Sequence, residues 1–329
     1  MRAILRASAV VGFIVLTAFV SGRRSSLQAA GPRESMLTPV SWLAQHLKDP
    51  NLVILQVGEV GTYKRGHIPG AQAADMTEFV APMDHSSTAP AGQIMVELPS
   101  DEQLRTTLQG FGISDSSRIV IVESDNYFSP STRIYLTLVH AGLGANTTLL
   151  DGGLPAWKAA GESTTTDVPA VKAGSLSPLR TVQVTVDAAY VQAHEKTPGI
   201  AILDVRSPAA WEGKTNSAPP GGPQKFGHIP GATSLPLEQL WDDERSALRP
   251  EAELERLFAE AGVKPGDTVV AYCYVGQRAT ATLFAARTLG HPIWLYDGSM
   301  EEWVKLNLPL EMPAKKGALR GVGRVRTRG

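Results

Sequence analysis

Short apolar runs alternate with amphipathic stretches along most of the chain, the pattern of strands separated by helices. Val269 to Tyr272 is apolar and β-prone, and the residues after Thr280 read as a helix, with Leu283, Phe284, Arg287 and Leu289 at helical spacing. Glu251 to Glu260 and Ala279 to Leu289 read as amphipathic helices. The alternation predicts an α/β fold with a mainly parallel sheet, whose ligand site lies beyond the carboxyl ends of the strands. One apolar run breaks the pattern. Ala7 to Val20 is preceded by Arg2 and Arg6 and followed by small residues at Ser21, Gly22, Ala29 and Ala30. Its 14 residues fall short of the roughly 20 that a spanning helix needs. A cleaved export signal and a periplasmic or secreted location are expected. The alternative is an uncleaved anchor that tethers the chain to a membrane, facing the periplasm, because Arg23 and Arg24 follow the run.

The chain also repeats itself. Leu55 to Glu59 (LQVGE) matches Leu203 to Ser207 (LDVRS), and RGHIPGA from Arg65 matches FGHIPGA from Phe226. Gly112 to Ser124 matches Gly262 to Cys273, and LLDGGLPAW from Leu149 matches LYDGSMEEW from Leu295. Four blocks in one order predict two homologous domains, 37–160 and 183–313, joined by a Thr-, Ser-, Gly- and Pro-rich linker at 161–182. Features kept in both halves serve the fold most economically. His67 and His228, and Trp157 and Trp303, are therefore read as structural.

Chemistry sits in what the halves do not share. The single cysteine, Cys273, falls where a strand ends and the loop CYVGQR turns into a helix. Free N–H groups at such a turn stabilise an anion, so a thiolate nucleophile is expected there. A buried structural cysteine is the plain alternative. Without gaps Cys273 aligns with Glu123, Arg206 with Gly58 and Asp204 with Gln56, so the first half lacks both the thiol and the nearby cation. Arg278 is taken to align with Arg133, which leaves it either touching substrate or bracing the loop.

Charge and composition narrow the partners. The formal net charge of -1 is unevenly spread, because the first 30 residues and the tail 314–329 are basic with no acid. The remainder holds 21 basic and 32 acidic residues, which disfavours nucleic acid as a partner. The tail reads as disordered. One cysteine excludes an intrachain disulfide and any CxxC metal or redox motif, so no metal or cofactor is expected.

These blocks together resemble the rhodanese superfamily, in particular its tandem-domain sulfurtransferases, over about Leu37 to Leu310. The resemblance implies an inactive first domain and a catalytic second one. It implies that Cys273 carries a persulfide, that Tyr274, Val275, Gly276 and Gln277 cradle it, and that Arg206, with Arg278, binds an anionic donor. Thiosulfate is the expected donor, passing sulfur to a thiophilic acceptor such as cyanide. The alternatives are 3-mercaptopyruvate as donor, or a persulfide carrier serving a protein partner. Four residues separate Cys273 from Arg278, where phosphatases of similar fold resemble a C-x5-R loop. Tyr274, Val275 and Gln277 match neither of the familiar donor-specific loops. The second half also carries 13 extra residues within Glu212 to Phe226, including Lys214 and Lys225, which either flank the site or form a solvated loop.

Overall fold

A computed structural model describes residues 32–84, 93–124, 128–216, 218, 225–242 and 244–313. The candidate signal and the basic tail lie outside these residues. Among the described residues no helix is long and apolar enough to cross a membrane.

Each half is a five-stranded parallel sheet. The first contains β1 (Leu37–Thr38), β2 (Leu52–Val57), β3 (Ala71–Ala74), β4 (Arg118–Glu123) and β5 (Thr147–Leu150), ordered β1-β5-β4-β2-β3. The second contains β6 (Thr185–Val186), β7 (Ile200–Asp204), β8 (Thr233–Ser234), β11 (Thr268–Tyr272) and β12 (Ile293–Tyr296). Its order, β6-β12-β11-β7-β8, is the same topology. A short antiparallel pair, β9 (Trp241–Asp242) and β10 (Ala247–Leu248), is added between β8 and β11. The internal duplication is thus a duplication of fold.

The core explains where side chains can point. On β11, Val269 and Ala271 join a large apolar cluster shared by both halves, while Val270 and Tyr272 join a separate cluster on the outer face. On β4, Ile119 and Ile121 face the shared cluster, while Val120 and Val122 face outward. Strand side chains alternate with period two. Cys273 and Glu123, the next inward positions, are therefore both presented to the face where the halves meet. Helices Phe128–His140 and Ala279–Thr288 pack together across that face and are buried along most of their lengths.

The repeated residues brace the fold. His67 stacks on Tyr63 with ring centroids 3.8 Å apart, and His228 stacks on Trp211 at 3.4 Å. Each histidine pairs its backbone with a segment near the C-terminal end of its own half, at Thr165 and Glu311 respectively. Burial lowers the pKa of His228 from its ordinary value. The indoles of Trp157 and Trp303 donate to the carbonyls of Ser163 and Pro309, again in equivalent places. The linker is no free tether. Its Thr165 pairs with His67, the Leu176 carbonyl accepts two bonds from Arg105, and the Leu176 side chain is buried.

Candidate active site

β11 ends at Tyr272, and Cys273 begins a loop that closes at the helix starting with Ala279. The thiol is 2% exposed. Among the described residues, the N–H groups of Tyr274 through Arg278 have no protein acceptor. A run of free backbone donors following one sulfur is an anion-binding concavity. Gly276 makes it possible. Its φ is +80°, and a Cβ there would stand 2.6 Å from the carbonyl oxygen of Asp297. Only glycine combines that backbone with that approach.

The turn Asp297–Glu301 holds the loop from one side. The Cys273 N–H donates to Ser299 Oγ at 3.2 Å, and the Cys273 carbonyl accepts from the Met300 N–H at 3.2 Å. The Glu301 N–H donates to the Tyr274 carbonyl at 2.9 Å. The first half holds the loop from the other side. Gln277 donates to Ser129 Oγ at 3.3 Å, and the hydroxyls of Thr280 and Thr132 lie 2.8 Å apart. Arg133 reaches across to Asp297 in a two-pronged buried pair, with contacts of 2.5 and 3.3 Å. A cavity of about 390 Å³ abuts this turn, lined by Glu97, Asp187, Asp297 and Glu302. Burial and the neighbouring carboxylates raise the pKa of Glu97 to about 7.

The strand-end cation, Arg206, is held by buried partners of its own. Arg206 is 4% exposed, so the surface-salt-bridge reading fails. Its Nε and Nη2 donate to Asp204 and Nη2 also donates to the Gly227 carbonyl. Asp204 accepts from the Tyr272 hydroxyl at 2.8 Å as well. Asp204 and Tyr272 alternate onto the outer face, which draws Arg206 away from the face that carries the thiol. Burial opposes the charge on Arg206, but its hydrogen bonds and ion pair with Asp204 outweigh that and hold its pKa above the ordinary value. Arg278 is half-exposed at 43% and pairs with Glu238. Its supposed counterpart Arg133 is wholly buried and pairs across the domains, so the two arginines are not equivalent. Lys214 pairs with Glu212, and Lys225 donates to Asn307. Neither contact directs a charge at Cys273.

The equivalent position in the first half is spent. Glu123 is buried, and neither carboxylate oxygen has a hydrogen-bond partner. Burial raises its pKa to about 8. It has no thiol chemistry to offer.

The Rhodanese-like domain family matches residues 39–160 and 187–306. The chain belongs to that family, twice over. A probable 3-mercaptopyruvate sulfurtransferase of Pseudomonas aeruginosa is 31% identical over 280 residues, covering 82% of this chain and 95% of the relative. A sulfur carrier protein of Thermus thermophilus is 27% identical, covering 86% of this chain and 97% of that one. The crystal structure of a 3-mercaptopyruvate enzyme from Escherichia coli superposes with a TM-score of 0.66 at 25% identity, over 80% of this chain and 98% of that one.

Within this tandem rhodanese the sequence located the Cys273 loop but missed several of its supports, Arg133 and Ser299 among them. Arg133 lies 164 residues from Asp297, and no local pattern links them. Ser299 was within reach, since the two DG blocks differ there, with Gly153 in the first half.

Proposed function

We propose that this rhodanese-superfamily sulfurtransferase transfers a sulfane sulfur through a persulfide on Cys273. The observation that carries the reading is the run of N–H groups from Tyr274 to Arg278 with no acceptor among the described residues, which follows the one thiol of the chain. The Cys273 thiolate attacks the sulfur of the donor. The bond between that sulfur and the rest of the donor breaks, and the leaving group departs with the electron pair. From thiosulfate the leaving group is sulfite; from 3-mercaptopyruvate it is the enolate of pyruvate, which then takes up a proton. The outer persulfide sulfur next passes to an acceptor, as thiocyanate when the acceptor is cyanide. Free N–H groups around the loop stabilise the thiolate and then the persulfide anion.

The donor reading moves toward 3-mercaptopyruvate. Arg206, the cation expected to offset a dianionic donor, is already neutralised by buried Asp204. A singly charged 2-oxo acid needs less compensation. The names of the Pseudomonas and Escherichia relatives support the same donor. Thiosulfate stands as the second reading, supported by relatives named as putative thiosulfate sulfurtransferases. Steady-state rates with each donor, cyanide being the acceptor, decide between them. Higher kcat/KM with 3-mercaptopyruvate is expected, and no persulfide from either donor would end the proposal. Persulfide delivery to a protein partner remains the reading to adopt if the persulfide forms but turnover with small acceptors is negligible.

Export rests on the sequence before residue 31 alone. Cell fractionation with N-terminal sequencing tests it; an intact chain in the soluble cytoplasm is the contrary result.

A further inference from the structure

Ser299 adopts a backbone conformation that its side chain should avoid. Its φ is +51°, in the left-handed region, and the residue is completely buried. Strain of this kind persists where the surrounding structure requires it, and glycine would relieve it. The repeat supplies the comparison within one molecule. Gly153 holds the equivalent place in the DGG block with φ +54°, so the fold needs the conformation in both halves and uses glycine in one.

The serine hydroxyl accounts for the difference. Ser299 Oγ donates to the Tyr296 carbonyl at 2.8 Å, which fixes its proton. A lone pair is left facing the Cys273 N–H, which donates to it at 3.2 Å. This N–H lies beyond the end of β11 and is buried with its residue, so a glycine at 299 would leave it unpartnered. In the first half a Cβ at Gly153 would stand 2.4 Å from Glu123 Cγ. The two substitutions therefore go together sterically as well: a serine fits beside Cys273, and a glycine is needed beside Glu123.

We propose that Ser299 is a positioning residue for sulfur transfer, accepting the strained backbone so that its hydroxyl can hold the Cys273 N–H and aim the sulfur into the loop. The proposal rests on the reading of Cys273 as the persulfide carrier. Ser299→Gly removes the acceptor and relieves the strain; Ser299→Ala removes the acceptor and keeps the strain. Both should form the Cys273 persulfide about tenfold more slowly or worse in single-turnover mass spectrometry with 3-mercaptopyruvate and with thiosulfate, as expected for a buried donor left unpaired. Both should also shift the pH profile of Cys273 alkylation by iodoacetamide. Ser299→Gly should melt no lower than Ser299→Ala, so that its loss of rate cannot be a loss of fold. Either variant persulfidating at the wild-type rate, with an unshifted alkylation profile, overturns the proposal alone. A wild-type protein that forms no persulfide with either donor overturns the sulfur-transfer reading first, and this proposal with it.

Discussion

Arg133 in the first half and Asp297 in the half that carries Cys273 form a buried, two-pronged ion pair across the domain boundary. Asp297 also packs its carbonyl against Gly276 and accepts from the Leu98 N–H. The pair therefore ties the Cys273 loop to the half that has no cysteine. Removing one partner of a buried pair strands a charge, at a cost of about 3–5 kcal/mol. Arg133→Met and Asp297→Asn should each lose stability on that scale in urea unfolding. Arg133→Met combined with Asp297→Asn should lose less than the sum of the two single changes. Additive losses would mean that the two residues act independently.

Cys273→Ser should abolish persulfide formation while leaving the fold intact. No other thiol exists in the chain, and a hydroxyl cannot hold a sulfane sulfur. Intact-mass measurement after donor treatment should show one added sulfur atom on the wild type and none on the variant. Continued turnover by the variant would move the chemistry elsewhere.

Stability should fall as pH rises from about 4.5 toward 8. Glu123 carries a raised pKa of about 8 through burial, against an ordinary value of 4.5. Across that window the folded chain keeps a proton that the unfolded chain has released, so raising the pH favours unfolding. Below the ordinary value the side chain is neutral in both states and the effect vanishes. The slope from one such group is at most about 1.4 kcal/mol per pH unit. Glu97, raised to about 7, acts in the same direction. Glu123→Gln should flatten the decline of Tm between pH 5 and 8. An unchanged pH dependence would mean that Glu123 is ionised in the folded protein.

Arg206→Ala should impair the use of anionic donors more than alkylation of Cys273 by neutral iodoacetamide. It should also destabilise the fold, because Asp204 would keep only Tyr272 and the Arg206 backbone N–H as polar partners. Equal losses in both reactions would assign Arg206 to the scaffold of the strand end.

The duplication, the parallel sheets and the loop after Cys273 were legible because each rests on local order: repeated blocks, apolar runs and a strand-to-helix turn. The helix Glu251–Glu260 falls where its apolar period places it. Arg206 was harder. Adjacent strand ends do bring it near the thiol, but Asp204 and Tyr272 draw it to the opposite face of the sheet. A pairing across strands is not written in either segment alone. The start of the helix Phe128–His140 belongs to the half without a thiol. Yet Ser129, Thr132 and Arg133 all serve the other half. The apolar core shared by the two halves encloses Cys273. This burial limits oxidation to reagents small enough to enter.

That shared core has a consequence for cutting the chain in two. The halves contribute to one apolar cluster, and the connection between them crosses the surface with Val168 and Val171 exposed at 74% and 45%. Proteolysis at that exposed stretch would sever the polypeptide without parting the protein, and two co-expressed fragments divided there would reassemble into a working pair. The Cys273 fragment produced alone would present its share of the cluster to water and lack the groups that grip its loop. A chain built from two copies of one domain thus shares one core, and the first copy stands to the second as an internal subunit.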